Sequence, residues 1–240
     1  MALNAALSEL PRAIDLTGVA ANAVLGGVIA REFKMDPVGF VALAILSGLG
    51  GGVIRDTLLQ HGPPIALTDS TYVLTAVAGA ALAFVVPVHL RVWRVSYRVI
   101  DALALGTWAA AGAQKTLDIG LGWLPAILLG TISAVGGGAL RDISVNRIPQ
   151  IFGDNTLYAT CAAAASAVVV VFTDHGHASM GAIAGAVVGS TLCLLARWRG
   201  WQLGHGLEWE YSLRRRRTGG RLLRFTVHVS KSHQSGERKP

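Results

Sequence analysis

The chain reads as an all-α membrane protein, with seven transmembrane helices forming two inverted three-helix repeats plus a seventh helix. Three observations predict this fold. Of 240 residues, 52% are hydrophobic and only 15% charged, whereas soluble chains carry roughly 25% charged residues. The apolar residues fall into seven long runs. The first six of these repeat at a fixed offset. The 29 glycines agree, because glycine is more frequent in membrane helices than in soluble ones. The same apolar content excludes bulk disorder. The two cysteines, Cys161 and Cys193, lie inside apolar runs and exclude a disulfide scaffold. Sustained strand alternation is missing, which argues against a membrane barrel.

A helix crossing the hydrocarbon needs about 20 mostly apolar residues. Candidate spans lie near 13–30, 38–59, 69–88, 97–114, 121–143, 155–173 and 178–197. Charge, proline or glycine bounds each one. Arg31 and Lys34 follow the first, His89 and Arg91 the third, and Lys115 and Asp118 the fourth. No A-x-A-like cleavage site follows the first span, so it reads as retained and not as a signal peptide.

Lysine and arginine positions set orientation. With the N-terminus outside, the inner loops carry Arg31, Lys34, Arg91, Arg94, Arg98 and Arg147, and eleven more basic residues lie between Arg197 and Lys239. Only Arg12 and Lys115 fall outside, with Arg55 and Arg141 set apart as members of a motif. An odd span count and a basic tail both place the C-terminus in the cytoplasm. The transmembrane domain then covers 1–199 and the tail 200–240. The tail supplies most of the +7 net charge. It reads as a solvated segment obeying the positive-inside rule, with attraction to anionic lipid headgroups as its functional reading. Nucleic acid is not an expected partner. Trp198 and Trp201 fit an interfacial aromatic belt.

Laid on itself, the sequence repeats at an offset of 86 residues. SGLGGGVIRD at 47–56 answers SAVGGGALRD at 133–142. Ser47 maps to Ser133, Gly50, Gly51 and Gly52 to Gly136, Gly137 and Gly138, and Arg55 and Asp56 to Arg141 and Asp142. In the same register Asp15 maps to Asp101, Pro63 to Pro149 and Tyr72 to Tyr158. Alanine and glycine matches are cheap in apolar helices, but Arg-Asp, Pro and Tyr matches in register are not. The repeats span about 14–86 and 100–172, with the seventh helix at about 178–197 left over. Three spans per repeat is odd, so the halves enter the membrane from opposite sides. In that architecture the substrate path lies at the repeat interface, marked by glycine-interrupted segments at corresponding positions.

Three helix-interior glycines cost roughly 1 kcal/mol each relative to alanine and are expected to break spans two and five. From Val38, Gly50 lies about 18 Å along its helix and Arg55 about 26 Å. This puts one Arg-Asp pair near each membrane face and suggests an hourglass path with two vestibules. The competing readings are close packing for the glycines and snorkelling for Arg55 and Arg141. Asp15 and Asp101 are either helix N-caps or pore lining. Lys115 has Ile29 as its counterpart and is either an interfacial anchor or an asymmetric gate. Gly181, Gly185 and Gly189 form a small-residue face on the seventh helix, facing either its own chain or another protomer. His175 and His177 read as solvated, not as a metal site. No nucleotide loop, zinc spacing or nucleophile–base pair points to an enzyme, and no cofactor is expected.

The doubled Gly-Gly-Gly-x-x-Arg-Asp resembles the bacterial UPF0126 family, prokaryotic relatives of the trimeric intracellular cation (TRIC) channels. Asp-Ala-Leu at 101–103, Gly112-Ala113-Gln114, Arg147-Ile148-Pro149 and Leu157-Tyr158-Ala159 carry the same resemblance. It covers about 14–197. It implies a homotrimer in the bacterial inner membrane, with a potassium- and sodium-permeable pore in each protomer lined by kinked helices two and five. A glycine-transporter label also attaches to this domain, and a carrier of a small solute such as glycine is the alternative that an inverted repeat permits.

Overall fold

A computed structural model describes the backbone of residues 2–86, 90–152 and 157–201, with side chains described outside 2–11, 14 and 90–97. The expectations for the tail from 202 onward lie outside the described residues. All regular structure described is helical: α1 (Ala2–Glu32), α2 (Pro37–Leu59), α3 (Ile65–Thr68), α4 (Ser70–Val85), α5 (Leu90–Asp118), α6 (Trp123–Ser144), α7 (Tyr158–Asp174) and α8 (Ala178–Arg199). Each of the seven longer helices overlaps one of the seven apolar runs, and the single turn α3 was not expected. Helices α1 and α5 begin before their apolar runs. Among the described residues α2, α6 and α8 are long and apolar enough to cross a membrane, while α4 and α7 are apolar but shorter.

Local chemistry fixes the ends. Asp36 accepts a hydrogen bond from the Gly39 amide at 2.7 Å with Pro37 in the first turn, a favoured N-terminal combination. Asp69 does the same for α4 through the Thr71 amide at 3.0 Å. These are the aspartate caps. Asp15 and Asp101 instead sit well inside α1 and α5, so the N-cap reading for them is wrong.

The glycine triplets do not break their helices. Helix α2 runs through 50–52 and α6 through 136–138 without interruption. What the glycines provide is proximity. A Cβ built on Gly51 would lie 2.1 Å from the Ser133 carbonyl oxygen, and one on Gly137 2.2 Å from that of Ser47. The pairs Ser47–Gly137 and Gly51–Ser133 run in opposite order along the two helices. Backbones in such contact leave no room for side chains, and the helical hydrogen bonds survive because nothing needs to unwind. The surrounding core follows the same rule. Ala23, Ala44, Ala76, Ala80, Ala102, Ala109, Ala162 and Ala165 are all buried, small residues that let helices approach where lipid offers no hydrophobic drive.

The small face of α8 turns inward. Added Cβ atoms on Gly181, Gly185 and Gly189 would meet Phe172, Val169 and Ala165 of α7 at 2.6–2.8 Å, so this face packs within its own chain. Cys161 of α7 and Cys193 of α8 are free and buried. At one end of the bundle, Arg31 caps α4 by donating to the Ala83 carbonyl at 2.6 Å. Arg147 pairs with Glu32 at 2.9 Å.

The glycine geometry has a direct consequence. Leucine at Gly51 or Gly137 would collide with backbone before it plugged any opening, so it is a packing lesion and not a test of a pore. Even Gly51→Ala or Gly137→Ala is expected to destabilise by about 1–3 kcal/mol through overpacking. By contrast, Cβ atoms on Gly52 and Gly138 would find only the Arg55 and Arg141 guanidinium nitrogens, at 3.8 and 3.7 Å. Gly52→Ala and Gly138→Ala should keep or raise stability by up to about 1 kcal/mol. Thermal unfolding of the four purified variants in detergent checks this, and equal melting of Gly51→Ala and Gly52→Ala would contradict it.

Candidate functional site: a charged cavity beside the helix crossing

One turn beyond each glycine contact lies an Arg-Asp pair, and both pairs are buried. Arg55 is 2% exposed and Arg141 1%. Snorkelling to headgroups is therefore ruled out. Adjacent helical residues do not face each other, yet the long arginine folds back onto its neighbour. Arg55 Nε donates to Asp56 Oδ1 at 2.8 Å, and Arg141 Nε donates to Asp142 Oδ1 at 3.0 Å. A buried charge requires such compensation.

Asp56 does more than neutralise Arg55. Its Oδ1 also accepts from Lys115 Nζ of α5 at 2.7 Å. Its Oδ2 accepts from the Ile65 amide, which opens α3, at 3.0 Å. One carboxylate thus ties α2, α3 and α5 together. Lys115 pairs with this buried carboxylate while its own side chain stays 36% exposed, and α3 exists where it does because its first amide meets a buried anion. Arg55 Nη1 also reaches the Ser133 hydroxyl across the helix crossing, at 3.4 Å. The Ser47 hydroxyl, buried at the equivalent place, has no hydrogen-bond partner among the described residues.

Asp15 and Asp101 recur in register with tyrosines. Tyr72 Oη donates to Asp15 Oδ2 at 2.9 Å, and Tyr158 Oη donates to Asp101 Oδ1 at 3.0 Å. Both tyrosines match in the repeat at offset 86, and that match is the signal for their role. Sequence reasoning missed Arg197 altogether. It lies on α8, outside the repeat, and donates from Nη2 to Asp101 Oδ2.

These groups line an open cavity of about 560 Å³ whose wall includes Arg12, Asp15, Arg55, Tyr72, Gln114 and Lys115. Four of its residues, Asp15, Arg55, Ile65 and Tyr72, also line a second, water-sized space of about 20 Å³ that reaches Gly48, Gly52 and Ser133. The two spaces share those four wall residues, and the smaller one lies beside the glycine crossing. Gly50, Gly51, Gly136 and Gly137 form that crossing, since Gly136 would place a Cβ 3.2 Å from the Gly51 Cα and Gly50 one 3.5 Å from the Gly137 Cα. The counterparts of Asp15, Arg55 and Asp56 in the other repeat, Asp101, Arg141 and Asp142, line neither space. At the rim Arg12 pairs with Asp69 at 2.6 Å. Hydrogen bonds from Thr71, aided by Arg12, hold the Asp69 carboxyl below the usual value.

Removing the Asp56 charge is expected to be costly. Asp56→Asn leaves Arg55 buried without its carboxylate, a loss of about 3–5 kcal/mol. Lys115→Met touches a pair whose lysine is 36% exposed and should cost about 1 kcal/mol or less. Thermal unfolding of the two variants should separate them clearly, and similar melting would contradict the assignment of Asp56 as the tie.

Comparisons with known proteins bear on the family and the fold. A family profile described as "Glycine transporter" matches twice, at residues 12–87 and 98–174. Its two copies fall on the two repeats. A UPF0126 membrane protein of Deinococcus radiodurans is 37% identical over 77% of this chain and 85% of its own length. The UPF0126 inner membrane protein YadS of Escherichia coli is 32% identical, over 48% of this chain and 56% of its own. Among solved structures, the TRIC trimeric intracellular cation channel orthologue from Rhodobacter sphaeroides is 28% identical with a TM-score of 0.72, covering 80% of this chain and 99% of that one. A prokaryotic TRIC channel solved in 0.5 M KCl is 25% identical with a TM-score of 0.75, over 82% of this chain and all of that one. An all-helical fold shared with cation channels, a domain matched twice at the offset of the internal repeat, and a relative this close over most of both chains lead to one assignment: the protein belongs to the UPF0126 family of membrane proteins.

Proposed function

We propose that the protein is a channel for monovalent cations, potassium and sodium, and not an enzyme. Each protomer holds its own path at the crossing of α2 and α6. The observation that carries this reading is a pair of spaces that share Asp15, Arg55, Ile65 and Tyr72 in their walls, one reaching Lys115 and the other Ser133 beside the glycine contact, in a chain whose fold is shared with TRIC cation channels. The chain forms two inverted three-helix repeats, as supported by the opposite order of contacts along α2 and α6. On this reading the N-terminus is outside and the C-terminus cytoplasmic in a bacterial inner membrane. Arg12, Asp15, Arg55 and Lys115 then gather at the outer vestibule, and Asp101, Arg141 and Asp142 at the inner one.

Gly50–Gly52 and Gly136–Gly138 form the constriction, with Ser47 and Ser133 beside it. Small movements of two helices in backbone contact open and close such a point without unwinding either. The assembly is a homotrimer, a reading supported by the TRIC structures it resembles. The basic tail from residue 200 lies near anionic headgroups, where each lysine or arginine contributes about 1 kcal/mol. The path needs no cofactor.

Recording from planar bilayers containing the purified protein under a potassium gradient tests conduction. Unitary currents that reverse near the potassium equilibrium potential are expected. Slow, saturable glycine uptake without unitary currents would overturn the channel in favour of a carrier. Deleting 206–240 should leave both the trimer mass in nanodiscs and the unitary current unchanged. A truncated protein that runs as a monomer, or is folded but silent, would show that the tail belongs to the working assembly.

A further inference from the structure

The two aspartate–tyrosine pairs match in the repeat, but their surroundings differ in one respect. In repeat two the pair holds a guanidinium. Arg197 of α8 donates from Nη2 to Asp101 Oδ2 and from Nη1 to the Arg98 carbonyl at 3.0 Å. Its Cζ lies 5.4 Å from the centre of the Tyr158 ring. Carboxylate, ring face and helix carbonyl together form a cradle for a planar cation. Arg197 is itself largely buried there, its side chain 11% exposed.

In repeat one the same pair faces open space. The helix beside this aspartate is α5, whose Trp108 indole donates to the Asp15 carbonyl at 3.4 Å. Ala111 lines the 560 Å³ cavity together with Asp15 and Tyr72. Ala111 brings only a methyl group to that wall, whereas a neighbouring helix brings Asp101 the guanidinium of Arg197. The cations that line the cavity are already committed to other carboxylates: Arg12 to Asp69, and Arg55 and Lys115 to Asp56. Asp118 receives the Gln114 amide at 2.8 Å. Among the described residues Asp15 receives the Tyr72 phenol and forms no ion pair.

We propose that the Asp15–Tyr72 pair is a binding site for a small guanidinium-bearing cation, entering from the cavity and taking the position that Arg197 occupies in repeat two. The cavity volume lies within the range of small-molecule sites, about 300–1,000 Å³. A guanidinium fits better than an ammonium because its planar fork can bond a carboxylate edge-on while its face lies on an aromatic ring. Occupancy is independent of conduction, since it follows from the cradle alone.

The test is calorimetric titration of the full-length protein in nanodiscs with methylguanidinium chloride, against potassium chloride of equal concentration. The expected result is saturable binding of one methylguanidinium per chain beyond the potassium control. Asp15→Asn should weaken it by about tenfold or more, the scale of a charged hydrogen bond lost. Ala111→Arg should abolish it by tethering a guanidinium in the site, with thermal unfolding confirming that the variant is folded. Arg197→Ala should vacate the Asp101–Tyr158 cradle and raise the count to two per chain. Wild-type heats equal to the potassium control would overturn the proposal, as would binding that persists undiminished in Ala111→Arg. The wild-type and Ala111→Arg measurements decide the question even where Asp15→Asn or Arg197→Ala fails to fold. None of these readouts involves ion flow, so failure here and failure to conduct are separate results.

Discussion

The backbones of α2 and α6 touch, and this steric contact governs where the polar groups of the bundle can lie. At Gly51 and Gly137 the carbonyls of Ser133 and Ser47 occupy the space of a side chain. Glycine has no other advantage at this place, because both helices keep their hydrogen bonds and a run of three glycines lowers helix propensity. Close approach has a further effect. It brings the residues one turn along, Arg55 and Arg141, to positions covered by the opposite helix and buries their charge. The aspartate next to each arginine is then required by electrostatics, and in repeat one that aspartate recruits Lys115 and the first amide of α3. Packing thus determines the ionic arrangement.

The two halves are built alike but finished differently. The repeat supplies an aspartate–tyrosine pair, a serine and an Arg-Asp pair to each. The neighbour of each aspartate breaks the equivalence: α5 beside Asp15 and α8 beside Asp101. Helix α8 contributes Arg197 to Asp101, whereas α5 contributes Trp108, whose indole donates to the Asp15 carbonyl at 3.4 Å, and Ala111. A duplicated domain thereby acquires two chemically distinct ends. In the proposed path Asp101 is paired with Arg197 at one vestibule, while Asp15 at the other accepts the Tyr72 phenol and forms no ion pair among the described residues.

Much of this was legible in the sequence, and the limits have physical causes. Arg-Asp, Pro and Tyr in register expose the repeat because polar residues in apolar helices are too rare to match by chance, and the family profile falls on the same two copies. The helix ends at Asp36 and Asp69 are written in local capping chemistry. The glycine triplet was harder to read. Its composition fits a broken helix and a close crossing equally well, and only the position of the partner helix separates them. Arg197 escaped because a basic residue at the end of the last span satisfies the positive-inside rule without any partner. Lys115 had the same ambiguity. Helix α3 depends on Asp56, nine residues earlier in the chain, and no local pattern announces it.

If the α2–α6 crossing separates two vestibules reached from opposite sides of the membrane, the two serines beside it must differ in access. Thiol labelling reads that difference. With Cys161 and Cys193 replaced by alanine, Ser133→Cys and Ser47→Cys would each be exposed to a cationic, membrane-impermeant thiol reagent from one side of the bilayer at a time. Ser133 borders the small space that shares Asp15 with the larger cavity, so Ser133→Cys should react only from the face bearing that cavity and Ser47→Cys only from the opposite face. Reaction of both from the same face would contradict a crossing with a vestibule on either side.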